Sequence, residues 1–461
     1  MDVHISLEGR GDLGARIYRQ LRDAILDGRL RNGERLPPTR ELAQRLDVSR
    51  NTVAVAYDRL VADGFLEGRA GAGTFVCADL VNTRKRSAPR GGVRPRALWA
   101  TIPALVSAWP SPPAYDFRVG TPDTELFPEA TWRRLVAREL RARLGVYGDP
   151  AGHADLRAAI ARYFGISRAV RAAASDVLVT HGAQQALDLI GRVLIEPGDC
   201  VAVEEPGYSP ARRLFQSLGA NVTGVPVDAE GLDVTAIPKE ARLVYVTPSH
   251  QFPLGTPMSL ARRTALLEWA ERRDAVIIED DYDSEFRFED RPLEPLQSLD
   301  RSGRVIYVGS FSKTLLPSLR LGFLVAPASL QEALSTAKQL TDWHGEPASQ
   351  AALARFIDEG LLARHVRKAT KVYGARHAAI VDGLEGLVPS AAGLHVCVMR
   401  DDVDHAALRA AGVAVEPLES YYAGPPDRKG LVLGYGRIPL ERIREGLRLL
   451  TRSTTGGASA R

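Results

Sequence analysis

The sequence predicts two folded parts of different class: a small, mainly helical N-terminal module with a two-stranded wing, and a much larger α/β domain on a parallel sheet. Three observations carry this. Near the N-terminus, apolar residues recur at helical spacing in short segments and end in a glycine-rich hairpin. Beyond about Tyr115, short apolar runs alternate with helical stretches, as strands and crossover helices do. Between them the chain carries Pro89, Pro95 and the pair Gly91-Gly92 among Arg84, Lys85, Arg86, Arg90, Arg94 and Arg96, with no acid from 84 to 96. That stretch reads as a linker, placed at 77–114.

The bulk properties exclude several classes. A length of 461 residues gives room for two or three domains. Cys77, Cys200 and Cys397 lie far apart, which argues against a disulfide framework and for a reducing, cytoplasmic compartment. No apolar run approaches a membrane span, and the charged N-terminus does not read as a signal peptide. The net charge of +4 is small enough for the linker to account for it.

The first module is placed at residues 13–76. Leu13, Ile17, Leu21 and Ile25 mark a helix that Asp27-Gly28 ends. After the loop Asn32–Pro38, Thr39 is expected to cap a short helix bearing Leu42, Ala43 and Leu46. Asp47-Val48-Ser49 makes a turn, and Ser49 caps a second helix with Val53, Tyr57, Leu60 and Val61 at core spacing. Phe65-Leu66-Glu67, a tip with Gly71 and Gly73, and Thr74-Phe75-Val76 form the wing. A short helix, a tight turn and a polar-headed second helix make a major-groove reader, in which Ser49, Arg50, Asn51 and Thr52 supply donors at the helix start. The bland alternative is an ordinary helical hairpin.

In the large domain, strands are expected at Val177–Thr180, Cys200–Val203, Leu243–Val246, Ala275–Ile278 and Val305–Val308. Each is followed by polar residues, at the edge where parallel sheets bind ligands. Gly182-Ala183-Gln184 opens a helix and offers backbone N–H groups to an anion. Asp280 is a carboxylate suited to a pyridine nitrogen, and Tyr282 to a ring hydroxyl. Asp280, Asp281 and Asp283 are also placed to cap a helix or hold a metal. No histidine accompanies them in the run, so no metal is expected. Tyr208 could stack on a ring or sit in the core. Ser310-Phe311-Ser312-Lys313 follows the last strand. A desolvated lysine there can form a Schiff base with an aldehyde, and Ser310 and Arg320 can share a phosphate. These features together imply pyridoxal 5'-phosphate, although Ser-x-x-Lys also occurs in serine hydrolases and by chance.

Three resemblances sharpen this reading. Gly33-Glu34-Arg35-Leu36-Pro37, Arg40-Glu41-Leu42-Ala43, Val48–Val53 and Gly73–Val76 resemble the GntR family of transcription regulators. That resemblance implies DNA contact by Arg40, Ser49, Arg50, Asn51 and Thr52. Residues 115–453 resemble fold-type I aminotransferases, with a small subdomain at about 346–453 and a disordered tail at 454–461. The whole chain resembles the MocR subgroup, which fuses the two. The subgroup's strings here are Tyr147–Gly152, Gly182–Asp188, Glu205–Tyr208, Thr247–Pro253, Glu279–Phe286 and Ser310–Thr314. The resemblance implies Lys313 as the cofactor lysine, Asp280 at the ring nitrogen, Tyr282 and His250 near the ring hydroxyl, and Tyr208 stacking. It implies Gly182, Ala183, Gln184, Ser310 and Arg320 on the phosphate, with Tyr147 reaching in from the second subunit of a homodimer.

One departure bears on function. Aminotransferases clamp the substrate carboxylate with an arginine where Val432 stands here, with Arg428 and Arg437 lying off that position. The expectation is therefore a DNA-binding regulator that uses the cofactor as sensor or effector, with a small amino compound as a further candidate ligand. The alternative is a working aminotransferase.

Overall fold

The computed structural model describes residues 5–7, 12–77, 93–102, 112–141, 145–288, 294–390 and 392–455. The expectations for Arg84, Lys85, Arg86, Arg90 and the end of the tail, 456–461, lie outside the described residues. The chain divides into two compact units, Met1–Pro95 and Arg96–Arg461.

In the first unit, α1 (Leu13–Leu26), α2 (Thr39–Arg45) and α3 (Arg50–Ala62) precede a hairpin of β1 (Leu66–Arg69) and β2 (Gly73–Val76). Ile17, Leu21, Ile25, Leu42, Val53, Tyr57 and Leu60 close one core. Leu13 and Val61, expected in it, are exposed, while their chain neighbours Gly14 and Leu60 face inward. Thr39 is the first helical residue and not the cap. The Pro38 carbonyl takes the N–H groups of Glu41 and Leu42 at 2.9 and 3.0 Å. The loop before α2 also does more than connect. Its Gly33 and Leu36 N–H groups donate to the Val76 and Thr74 carbonyls, so it edges the wing as a third extended segment.

The second unit holds an eight-stranded sheet of β3 (Val177–Thr180), β4 (Cys200–Glu205), β5 (Asn221–Asp228), β6 (Gly231–Leu232), β7 (Ala241–Val246), β8 (Val276–Asp281), β9 (Val305–Ser310) and β10 (Gly322–Val325). Their order is β3-β10-β9-β8-β7-β4-β5-β6. The five strands from β9 to β5 pair in parallel; four lie where the sequence predicts strands, and β5 is an additional one. β10 is antiparallel to both neighbours. The chain returns from β9 through residues 311–321 with only a short 3-10 turn, too little for a crossover helix, so it must reverse.

Strand β9 is buried throughout and β8 in all but its first residue, so the acids Glu279, Asp280 and Asp281 that end β8 are buried with its apolar start. A small three-stranded sheet, β11 (His395–Met399), β12 (Glu416–Pro417) and β13 (Gly430–Gly434), is antiparallel throughout. The subdomain expected at 346–453 also takes in the first strand of the unit, because Tyr115–Asp116 pairs with Val413–Ala414. The last helix runs to Thr455, past the start expected for the tail.

Candidate cofactor cavity and DNA-reading helix

The C-terminal ends of the central strands meet the small subdomain around a cavity of about 400 Å³. Register places its contents: Val308 pairs with Asp280, and Gly322 pairs with both Ser310 and Thr180. Asp280, Tyr282, Ser310, Lys313, Arg320, Tyr208, Ala183 and Gln184, all expected at the site, line this one space.

Lys313 is held at the cavity by the carbonyl of Gly120, which accepts from its Nζ at 2.6 Å. Burial lowers its pKa, while Asp283 and Asp280 oppose that. Asp280 is buried at the end of β8. Its Oδ2 accepts the Tyr245 hydroxyl at 2.7 Å, and its Oδ1 has no partner. Burial raises this carboxyl to about 7, with Tyr245 pulling the other way. An orphaned, buried carboxylate oxygen facing a lysine is what a protonated pyridine nitrogen would satisfy. One residue on, Asp281 is also buried, yet Arg168 at 3.0 Å and the Tyr307 hydroxyl at 2.6 Å outweigh desolvation and hold its pKa down. Asp281 also has one unpartnered oxygen, Oδ1, but it is ion-paired with Arg168 and does not line the cavity, so of the two acids only Asp280 is placed for a ligand there.

At the anion end, Gly182 has φ +76° and precedes a 12-residue helix, Ala183–Leu194, whose first N–H groups are unused inside the helix. A Cβ on Gly182 would meet the Arg320 guanidinium at 3.1 Å, so glycine is what lets that arginine approach. Arg320 donates to the His181 carbonyl at 2.6 Å and lines the same space. Ser310 Oγ accepts the Ser312 N–H at 3.1 Å.

Gly182 adjoins the cavity through Ala183 without lining it, and two further expected residues lie elsewhere. His250 is buried one layer behind the wall, its Nδ1 3.0 Å from Asp283 and its Nε2 3.2 Å from Ser390 Oγ. The Tyr282 hydroxyl donates to the His250 carbonyl at 2.8 Å, and Phe252, two residues on, lines the cavity. Tyr147 is 77% exposed and packs on Trp343, with ring centroids 5.0 Å apart; it does not line its own chain's cavity.

The acid run does have histidine neighbours in space, contrary to its reading in sequence. His250, Asp283 and His395 bring ligand atoms within 4.8 Å of one another. The sequence hid this because His395 comes from β11, more than a hundred residues later.

Several lining residues were not foreseen: Gly120, Tyr245, Phe252, Asp283, Ser312, His395, Glu416 and Tyr421. Only Asp283, Phe252 and Ser312 lay inside strings that had been singled out. Val432 is fully buried among Phe252, Cys397 and Tyr421. Arg428 donates to the Val227 carbonyl, and Arg437 pairs with Asp116, so neither replaces the clamp.

In the first unit, Ser49 Oγ accepts the Thr52 N–H at 3.1 Å and lies 2.8 Å from Thr52 Oγ1. Capping presents Arg50 and Asn51 outward at the start of α3. Both are exposed, as is Arg40 on α2. Among the described residues no helix is long and apolar enough to cross a membrane.

Residues 13–76 match the model for bacterial regulatory proteins of the gntR family, and residues 115–429 match that for class I and II aminotransferases. The chain is 39% identical to the probable rhizopine catabolism regulatory protein MocR of Rhizobium meliloti, over 94% of this chain and 92% of that one. It is 33% identical to the pyridoxine biosynthesis transcriptional regulator PdxR of Corynebacterium glutamicum, over 93% of each. The solved kynurenine aminotransferase of Pyrococcus horikoshii superposes with a TM-score of 0.70 at 29% identity, over 76% of this chain and 92% of that one.

Proposed function

This chain belongs to the MocR-type regulators of the gntR family, a winged helix fused to a class I and II aminotransferase fold, and from that premise we propose how it senses. It is a DNA-binding transcription regulator. Its large domain holds pyridoxal 5'-phosphate through Lys313, and cofactor or ligand binding there changes the affinity of the winged helix for its operator. The observation that carries this reading is the cavity itself, where an orphaned Asp280 oxygen, a desolvated Lys313 and the Gly182–Arg320 anion end share one space.

When bound, the cofactor supplies a carbonyl reactive toward amines and an electron-withdrawing ring. Lys313 would anchor it, Asp280 would keep its ring nitrogen protonated, and Tyr208 and Tyr282 would position the ring. Ser310, Arg320 and the N–H groups of Ala183 and Gln184 would take the phosphate. On DNA, Arg50 and Asn51 would meet base edges, with Arg40, Ser49 and Thr52 fixing the helix. The work is cytoplasmic, and the regulator acts as a homodimer on two half-sites.

Mixing the purified protein with pyridoxal phosphate should give a near-visible absorption band that Lys313→Ala abolishes. Apo- and holo-protein should then differ in operator affinity. A band that survives in Lys313→Ala would overturn the lysine assignment, and equal operator affinities would remove the cofactor as the signal. Turnover of amino and keto acids at enzymatic rates would favour the aminotransferase reading, for which Lys313 and Asp280 are in place.

A further inference from the structure

Beyond the residues assigned to the cofactor, the cavity reaches a wall made by the small subdomain, and Glu416 stands on that wall. Strand β12 pairs with β13 in a register that sets Glu416 opposite Val432. Val432 is sealed in the core, so the clamp position offers no cation, and its partner across the ladder offers an acid. One Glu416 oxygen accepts the Val119 N–H at 3.2 Å and the other accepts the Tyr421 hydroxyl. Each keeps room for a second donor. Val119 adjoins Gly120, whose carbonyl holds Lys313 Nζ, and Lys313 and Glu416 line the same cavity.

A second acceptor lies on the same cavity. His395 is 2% exposed, and its Nε2 is buried without a partner. Burial and the neighbouring His250 hold its pKa well below the usual histidine range, while its other ring nitrogen is engaged by the Pro253 backbone. The imidazole is therefore neutral, with a lone pair to offer.

Among the residues that line the cavity none beyond the cofactor's own supplies a counter-charge for an anion, and the guanidinium that acts on Glu416 from outside the lining, Arg118, is shared with Asp116. The basic side chains lining the cavity besides His395 are Lys313 and Arg320, which the proposed function assigns to the cofactor. Nearby, Arg118 forks onto Asp116 at 2.7 Å, and Arg437 shares that carboxylate. A distal carboxylate would face Glu416 in a partly buried site, where like charges repel strongly.

We propose that the ligand accepted beside the cofactor is a primary amine whose far end donates hydrogen bonds, as a second ammonium or a hydroxyl does, and bears no carboxylate or sulfonate. Glu416 is its specificity-determining residue. This inference rests on the cofactor-binding reading above.

The test uses full-length holo-protein freed of excess pyridoxal phosphate. It is titrated with 1,4-diaminobutane, 4-amino-1-butanol and 4-aminobutanoate while the cofactor's absorption band is followed. The diamine and the amino alcohol should perturb the band at concentrations at least tenfold lower than the amino acid. In Glu416→Gln, checked for its own cofactor band, the diamine's advantage should shrink about tenfold. The wild-type ranking needs no variant to fold. Equal or tighter binding of 4-aminobutanoate overturns the inference, as does no response to any of the three. Absence of a cofactor band before any amine is added overturns the proposed function itself, and this inference with it.

Discussion

Asp280 is a single residue placed at a cost to the stability of the empty protein. Its carboxyl is buried with one oxygen unpaired, and burial raises it from 3.8 to about 7. The unfolded chain therefore gives up this proton at lower pH than the folded one. Stability from this group is fully present below about 3.8 and is lost as pH rises toward 7. Asparagine cannot ionise and escapes that loss. Apo Asp280→Asn should gain stability over the wild type, and the gain should grow by about 2 kcal/mol between pH 5.5 and 8, at about 1.4 kcal/mol per pH unit. Thermal unfolding of both apo-proteins at the two pH values measures it. The same substitution should weaken cofactor binding at pH 8, because the ring nitrogen loses its carboxylate. A gain that stays constant with pH would mean Asp280 is already ionised in the apo-protein.

At the scale of elements, the start of α3 joins fold and reading in one turn. Ser49 satisfies an N–H that the helix itself leaves open, and this fixes the direction in which Arg50 and Asn51 point. Ser49→Ala should cost about 1 kcal/mol of winged-helix stability, measured by denaturant titration. Arg50→Ala should leave stability unchanged and cost about 1–3 kcal/mol of operator affinity at fixed salt. Full affinity in Arg50→Ala would move the reading surface elsewhere on the unit.

These elements were also the legible ones. Caps, glycine stops and apolar runs act locally, so α1, α3, the wing and all the parallel strands but β5 could be read in order. The polar residues just past each strand marked the cavity for the same reason. Legibility failed where long-range contact decides. The reversal of β10 depends on a connection too short to cross over. Leu13 and Val61 have helical spacing but are exposed. Glu416 and His395 reach the cavity from β12 and β11, whose sequences carry no local sign of it.

At the scale of the whole molecule, the surface around Tyr147 argues for a second copy of the large domain. Val146, Tyr147 and Leu340 are each more than three-quarters exposed, and Trp343 is 45% exposed. The contact between the Tyr147 and Trp343 rings joins the two segments that carry these side chains. Aromatic and aliphatic side chains gathered in this way are the usual centre of an interface and are costly to leave in water. Tyr147 cannot serve its own cavity from where it stands, but as a contact between subunits it could complete its neighbour's. The combined change Leu340→Glu and Trp343→Ala should therefore shift the protein toward monomer in sedimentation equilibrium and weaken cofactor binding in the same preparation. Tyr147→Phe should leave the dimer intact and lower cofactor affinity alone. Operator binding should fall with dissociation, since two winged helices on one particle engage two half-sites at the spacing the dimer sets, and a lone module loses that effective concentration. A monomer that still binds cofactor with wild-type affinity would show that Tyr147 takes no part in the neighbouring site.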